Sequence, residues 1–228
     1  MGGWWWTGRW RFEFVLGWLE PESIEWVRRL VRPGMTVVDV GAHIGFYTRI
    51  LSDLVGPNGR VLAFEPHPAN LDLLRHNTGG MSNVEVHAFA VGASDEPVRL
   101  HVSAGHSNHS LIDGYTEELE SIEVEGITLD SFLAHHQIAA IDFLKIDVEG
   151  AEPLVLAGLA GALGAKRVRS ILTEFNPIAL ELGGAEPAKY VRTLRESGFD
   201  VHSIGPDGRL EDPLVPGTVV NLLCLPVD

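Results

Sequence analysis

Short apolar runs alternate with helix-like segments along most of the chain. We predict buried strands where Val, Ile, Leu and Phe cluster, at 36–40, 60–64, 84–88, 141–146 and 170–173. Segments with apolar residues at helical spacing follow several of these runs, at 45–54, 68–77, from 146 through 159, and at 187–197. This alternation is typical of a parallel sheet that is covered by helices.

Two pairs of apolar runs have no helix between them, which predicts antiparallel pairing. The first pair, 98–102 and 122–127, flanks a polar loop, and a helix is predicted after it at 128–135. The second pair, 199–204 and 219–225, is separated by a Gly- and Pro-rich turn and is expected at the sheet edge. We therefore predict an α/β fold with a mostly parallel sheet of seven strands, the last of them antiparallel.

The first 33 residues are predicted to form an appendage to a single domain at 34–228. Within it, 21–31 is predicted to be a helix, because Pro21 suits a first turn and apolar residues recur at helical spacing. Five of the six tryptophans precede this helix: Trp4, Trp5, Trp6, Trp10 and Trp18. They are interpreted as a lid or acceptor platform, or as packing on the sheet edge or at a homodimer contact. We favour packing, since aromatic residues dominate both cores and interfaces.

Charge and cysteine content limit the binding partners and the cellular compartment that the sequence predicts. The chain has 228 residues, with 31 acidic and 17 basic residues and a formal net charge of -14, which disfavours nucleic acid and anionic membrane surfaces as partners. A neutral or cationic small-molecule acceptor suits the negative electrostatic field of such a chain better than an anionic partner does. The single cysteine, Cys224, excludes an intrachain disulfide and fits a reducing cytoplasm. No apolar run reaches the ~18–20 residues of a membrane span, and the first residues do not resemble a signal peptide.

The segment Val37-Val38-Asp39-Val40-Gly41-Ala42-His43-Ile44-Gly45-Phe46-Tyr47-Thr48 is the strongest local signal. An apolar strand ends in a glycine turn that opens a helix, an arrangement that lets the backbone approach a ligand closely. The spacing is D-x-G-x-x-x-G, and His43 and Phe46 stand where the dinucleotide fingerprint needs glycines. An acidic residue at Asp39 suits a ligand ammonium group. The alternative is a turn that serves packing alone.

Glu65-Pro66 ends the second predicted strand, 24 residues beyond Gly41. An acidic residue about 20 residues after the glycine turn can accept both ribose hydroxyls of a nucleoside. Glu65 has the right type and position for that role, although a carboxylate at a strand end is often merely solvated. The presence of Glu65 together with Asp39 and Gly41 favours a nucleoside-binding site.

The run 142–152, DFLKIDVEGAE, groups acidic residues where the strand 141–146 ends. Ligands of open α/β sheets bind at the carboxyl ends of the strands. Alternation along a strand sends Lys145 and Asp147 to the same side. Grouped carboxylates repel each other, so we infer a polar ligand, a metal or shifted pKa values. Favourable interaction with a helix dipole is the alternative for Glu149 and Glu152.

Taken together, these motifs resemble the FkbM family of S-adenosylmethionine-dependent methyltransferases. The resemblance covers roughly residues 34–176 and is carried by 37–48, 63–77, 88–92 and 142–152. It implies the Rossmann-like class I methyltransferase fold, S-adenosylmethionine as cofactor, and O-methylation of a sugar, lipid or secondary metabolite. His43 departs from the family pattern, which often has Asn there.

The resemblance also implies site residues, carried over by position. The turn and the start of its helix would line the methionine end of the cofactor: Asp39, Gly41, Ala42, His43, Gly45, Phe46, Tyr47 and Thr48. Glu65 and Pro66 would lie at the ribose, Ala90 and Val91 at the adenine, and Asp147 beside the transferred methyl group.

A hydroxyl acceptor needs a base, because it is a poor nucleophile until its proton is leaving. The candidate bases are Asp147, Glu149, Lys145 and His43; Lys145 would need a lowered pKa, and its alternative role is an ion pair with Asp147 or Glu149. A Mg²⁺ ion on Asp147, Glu174 and Asn176 is a second way to activate the hydroxyl. The polar loop 105–110, with two histidines, is predicted to contact the acceptor.

Three other functions share the predicted fold. A nicotinamide-dependent oxidoreductase is disfavoured by the missing G-x-G-x-x-G pattern. A non-catalytic scaffold is disfavoured by the presence of Asp39, Glu65 and Asp147 together. Aminopropyl transfer with a decarboxylated cofactor ranks third. The sequence does not name the acceptor.

Overall fold

The computed structural model describes residues 20–103, 109–114, 118–212 and 219–227. The five N-terminal tryptophans and loop residues 105–108 lie outside these ranges. The interpretations of the tryptophans and of most of the acceptor loop therefore stay predictions.

Helices and strands alternate as the apolar pattern predicts. The helices are α1 (Pro21–Leu30), α2 (Phe46–Val55), α3 (Pro68–Thr78), α4 (Leu129–His135), α5 (Glu152–Ala157), α6 (Ala160–Gly164), α7 (Pro177–Leu182) and α8 (Pro187–Glu196). The strands are β1 (Thr36–Val40), β2 (Arg60–Phe64), β3 (Val84–His87), β4 (Ala90–Val91), β5 (Val98–Ser103), β6 (Glu118–Val124), β7 (Gly126–Ile127), β8 (Phe143–Ile146), β9 (Ile171–Phe175), β10 (Phe199–Ile204), β11 (Leu210–Glu211) and β12 (Val220–Pro226).

The main sheet has the strand order β11-β10-β12-β9-β8-β1-β2-β3. Strands β3, β2, β1, β8 and β9 are parallel neighbours, whereas β12 runs antiparallel to both β9 and β10. The predicted antiparallel final strand is confirmed in β12. The chain passes from β1 outward to β2 on one side, while β8 lies on the other side of β1. Ligand crevices of open α/β sheets form at such a reversal of strand order.

The predicted count of seven strands is wrong by one, because the described part of the main sheet has eight. The additional strand, β11, has two residues and pairs with Ser203 and Ile204 of β10. A tight turn folds it back, with the Gly205 amide donating to the Arg209 carbonyl at 2.8 Å. Two residues are too few to produce a periodic pattern, so this strand could not be predicted from the sequence.

Outside the main sheet, β5 and β6 form the predicted antiparallel pair, while β4 and β7 form a short parallel ladder. The predicted strand at 122–127 is thus divided between two ladders. Helix α7 was missing from the sequence prediction. It begins at Asn176, whose side chain accepts a hydrogen bond from the Ala179 amide, and Pro177 occupies its first turn.

Helices cover both faces of the main sheet. On one face, apolar residues of α4, α5 and α8 pack on strand residues such as Val38, Leu144 and Ile171. On the other face, Ile24 and Val27 of α1 pack with α2 on Val37 and Phe143. In the described part of the chain, no helix is long and apolar enough to cross a membrane.

Alternation along the strands decides which face carries the polar residues. Asp39 lies two residues after Val37, and Lys145 two residues after Phe143, so both project to the side covered by α1 and α2. They are also paired in register between β1 and β8. The polar group predicted from the sequence is therefore built next to the reversal of strand order.

Candidate active site

The turn between β1 and α2 is held by backbone contacts. The amides of Gly41 and Ala42 both donate to the Phe64 carbonyl, at 3.1 and 2.9 Å. Gly41 has φ of +76°, and a Cβ atom there would lie 1.8 Å from the carbonyl oxygen of Asp147. The glycine is thus required by the close approach of the turn to the end of β8. This contact agrees with the alternative interpretation that Gly41 serves packing. It also joins the two segments that were predicted to bind the ligand, the turn after β1 and the end of β8.

A buried ionic group lies beneath this turn. The Lys145 ammonium is 3.1 Å from Oδ2 of Asp147 and 3.8 Å from Oδ1 of Asp39, and both Asp39 and Lys145 are buried. Thr48 donates to the other oxygen of Asp39 at 2.6 Å. Burial raises the pKa of Asp39, and Lys145 and Thr48 offset only part of that rise. The turn after β1 and the end of β8 therefore share one charge network.

Lys145 is poorly suited to be a base. Burial alone would lower the pKa of Lys145, but the charges of Asp147 and Asp39 outweigh burial, and the net shift is upward. The sequence interpretation of Lys145 as a base required a lowered pKa and is not supported. The alternative role, an ion pair with Asp147, is the one that the geometry shows.

Glu65 joins the turns that follow β1 and β2. One carboxylate oxygen accepts from the His43 amide and the other from the His67 amide, each at 2.9 Å. Glu65 is almost fully buried, and burial raises its pKa to about 7 although these hydrogen bonds lower it in part. His43 has φ of +51°, a conformation that costs a residue other than glycine about 1–3 kcal/mol. Such strain is frequent at ligand-binding turns.

The turn after β8 is organised by a second buried carboxyl group. Oε1 of Glu152 accepts from the amides of Val148 and Gly150, at 3.1 and 3.2 Å. Glu152 is completely buried, which raises its pKa to about 7. Glu149, in the same turn, has φ of +55°. The structure therefore holds Asp147 and Glu149 on a strained, fixed turn.

Glu174 extends the acidic group to the next strand. Because Ile146 pairs with Thr173 in the parallel ladder, Asp147 and Glu174 follow at neighbouring strand ends. Burial raises the pKa of Glu174, and the charges of Asp147, Glu149 and Glu152 raise it further. From the sequence, Glu174 is predicted only as a ligand of Mg²⁺.

Two of the three proposed Mg²⁺ ligands are engaged by other groups of the chain. The side-chain oxygen of Asn176 caps α7, and Lys145 occupies Oδ2 of Asp147. Within the described ranges, no group of three His, Cys, Asp or Glu residues is placed to hold a metal ion. These contacts give the Mg²⁺ hypothesis no support, because helix capping and ion pairing engage two of its three ligands.

The described end of the polar loop crosses the carboxyl edge of the sheet. The rings of His109 and His67 are 4.0 Å apart, and the Ser110 hydroxyl donates to the Glu149 carbonyl at 2.7 Å. These contacts connect the loop to the turns after β2 and β8. The placement agrees with a loop that contacts an acceptor, a role that remains a prediction.

Glu20, the residue before α1, reaches the same edge through a contact that could not be predicted from the sequence. The Tyr47 hydroxyl donates to Oε2 of Glu20 at 2.6 Å, and Asn221 of β12 donates to the same oxygen at 2.7 Å. The Tyr47 ring in turn lies 5.0 Å from the Lys145 ammonium. These residues are distant in the sequence, and only the folded sheet brings them together.

The remaining predicted cofactor residues lie in three places. Phe46 and Tyr47 pack edge to face at the start of α2, with ring centroids 5.5 Å apart. Ala90 and Val91 form β4, which is not hydrogen-bonded into the main sheet, and both are buried; Val91 packs in the core cluster that includes Val38 and Leu144. Pro66 follows Glu65 and is partly exposed.

Comparisons with known proteins identify first the fold class of the molecule and then the family of the chain. A solved SAM-dependent methyltransferase from Aquifex aeolicus shares the fold with a TM-score of 0.53 at 17% identity, over 97% of this chain and 95% of that one. The molecule thus has the class I methyltransferase fold. The family model "Methyltransferase FkbM domain" matches residues 39–201, so the chain belongs to the FkbM methyltransferase family. The family predicted from the motifs is confirmed.

Two relatives extend the match to most of the chain. The 31-O-demethyl-FK506 methyltransferase FkbM of Streptomyces tacrolimicus is 32% identical over 84% of this chain and 80% of its own length. The 2-O-methyltransferase NoeI of Sinorhizobium fredii is 26% identical over 90% of this chain and 91% of its own length.

Proposed function

We propose that this protein is an S-adenosylmethionine-dependent methyltransferase that methylates a hydroxyl group of a small molecule. The observation that carries the proposal is the convergence of Asp39, Glu65 and Asp147 at the carboxyl ends of β1, β2 and β8, beside the reversal of strand order. Family membership and two relatives whose names state O-methylation support the same chemistry.

The charge of the site fits this cofactor. S-adenosylmethionine carries a sulfonium and an ammonium group and has no phosphate. At the strand ends, the carboxyl groups of Asp39, Asp147 and Glu174 outnumber Lys145, the cation that the described structure places among them. Such a site attracts a cationic ligand and repels the pyrophosphate of a dinucleotide.

We assign the chain's residues to the cofactor as follows. The turn at 41–45 and the group around Lys145 would hold the methionine end, Glu65 the ribose hydroxyls, and Ala90 and Val91 the adenine. Asp39 is completely buried, so we assign it the positioning of Lys145 and Thr48 rather than direct contact. The Glu65 carboxylate accepts the amides of His43 and His67 and a hydrogen bond from the Asn70 side chain, and its two oxygens together retain capacity for a further donor.

When bound, the cofactor supplies a methyl group that its sulfonium already activates. The chain's own task is to align the acceptor, exclude water and accept the hydroxyl proton. The Ser110 contact with Glu149 brings the loop 109–114 over the strand ends, where it can exclude water. Asp147, Glu149 and His43 remain the proton acceptors proposed from the sequence.

The experiment is a screen with methyl-deuterated S-adenosylmethionine and a panel of sugars, lipids and polyketide alcohols, read by mass spectrometry. We expect an O-linked labelled methyl group on one class of acceptor, and unchanged yield in the presence of EDTA. A protein that binds the cofactor and labels only amines or carbon would contradict O-methylation. A protein that binds no cofactor would support the scaffold alternative.

A further inference from the structure

Glu174 occupies a position that the proposed function has not yet used. It lies at the carboxyl end of β9, on the β8 side next to Asp147 and on the β12 side directly opposite Asn221 in register. It follows Leu172 by two residues and so projects to the face that α1 and α2 cover. Glu174 therefore borders the same crevice as Asp39 and Lys145.

Glu174 differs from the neighbouring carboxyl groups in its accessibility and its bonding. Its Oε2 is buried and makes no hydrogen bond with the described part of the chain, yet the residue as a whole is only half-buried. Asp39 and Glu152 also have an unbonded oxygen but are completely buried. Asp147 is partly exposed, but Lys145 already holds its Oδ2 at 3.1 Å. Of these four, Glu174 alone combines partial exposure of the residue with a buried oxygen that has no donor within the described chain.

We propose that the carboxylate of Glu174 takes the proton of the acceptor hydroxyl during methyl transfer. The inference rests on the proposed function and deepens it. As the acceptor oxygen bonds to the methyl carbon, the carbon–sulfur bond breaks, and sulfur keeps that electron pair. The hydroxyl proton passes to Glu174, which later releases it to water. One positive charge leaves the sulfur and one arrives on the carboxylate, so the charge of the site is constant.

The surroundings of Glu174 favour the uptake and release of a proton by its carboxylate. Burial raises its pKa, and the negative charges of Asp147 and Glu149 in the turn and Glu152 of α5 act in the same direction. Lys145 of β8 opposes them, and Glu20, which precedes α1, accepts a hydrogen bond from Asn221. A carboxylate in this setting binds a proton readily. A sulfonium nearby should expel that proton, and the neutral thioether product should allow it to return.

The test needs no acceptor. S-adenosylmethionine and S-adenosylhomocysteine are titrated calorimetrically into the protein at pH 7.5 in phosphate and in Tris, whose ionisation enthalpies differ, so that proton uptake or release is obtained for each ligand. We expect the cationic cofactor to release up to about one proton more than its neutral product. In Glu174→Gln the difference should vanish, whereas in Glu181→Gln, an exposed carboxylate on α7, it should persist.

The outcomes separate this inference from the proposed function. Equal proton release for both ligands in the wild-type protein overturns the inference and leaves cofactor binding intact. A difference that survives in Glu174→Gln but disappears in Glu149→Gln or His43→Gln assigns the proton to that residue instead. If neither ligand binds, the proposed function fails, and the inference fails with it.

Discussion

Replacing Glu152 with Gln should make the protein less sensitive to alkaline pH. Glu152 is completely buried; its Oε1 accepts from the amides of Val148 and Gly150, and its Oε2 is unbonded within the described chain. Burial raises its pKa from 4.5 to about 7, with Asp147 contributing in the same direction. Gln has the shape of the protonated carboxyl group: its oxygen can accept both amides, and it never ionises.

The sign follows from proton linkage. Because the folded pKa lies above the unfolded value, this group's stabilising contribution is fully present below about pH 4.5 and is lost as pH rises through 7. At about 1.4 kcal/mol for each pKa unit, the loss between pH 5 and pH 8 is about 2.5 kcal/mol. Any constant cost of the amide cancels when the two pH values are compared.

The assay is urea unfolding of wild type and variant at pH 5 and pH 8. We expect the stability of Glu152→Gln relative to wild type to be higher at pH 8 than at pH 5: the difference in free energy of unfolding, variant minus wild type, should rise by about 2–3 kcal/mol. The control is Glu196→Gln, an exposed carboxylate on α8, which should show no such pH-dependent difference. A relative stability of Glu152→Gln that is equal at both pH values, or lower at pH 8, would refute the reasoning.

Two further variants test the charge network and the turn. Lys145→Met should lower the free energy of unfolding by about 3–5 kcal/mol, because it leaves Asp39 and Asp147 without their buried cation; a stable variant in urea unfolding would show that the network is dispensable. Gly41→Ala should destabilise more than Gly184→Ala, because the two φ values are +76° and +75° but only the first Cβ meets an atom, the Asp147 carbonyl oxygen. Equal melting temperatures for the two glycine variants would contradict that explanation.

The sequence predicted the parts of the molecule in which a local pattern reflects burial. Strands such as β1 and β2 are apolar runs, and their bounds at 36–40 and 60–64 were predicted without error. The carboxylates at the ends of these strands were found because position on a parallel sheet follows from chain order. The two-residue β11 and the six-residue α7 were missed, since neither is long enough to show periodicity.

Contacts between segments that are distant in the chain could not be predicted from the sequence. Glu20, Tyr47 and Asn221 meet only because α1 packs across the sheet, and nothing in their local sequence marks that meeting. Likewise, Lys145 was a candidate base until its surroundings were known. Its pKa depends on the distance to two carboxylates, and that distance is a property of the fold.

The central claim is that the carboxyl edge of β1 and β2 binds a nucleoside cofactor, and calorimetric titration with S-adenosylhomocysteine tests it most directly. Wild type and the exposed control Glu196→Gln should bind with one site per chain. Glu65→Gln should bind at least about tenfold more weakly, because the change removes the charged group that we propose as the acceptor of the ribose hydroxyls. Circular dichroism would establish that the variant is folded. No binding by wild type, or equal affinity in folded Glu65→Gln, would contradict the account.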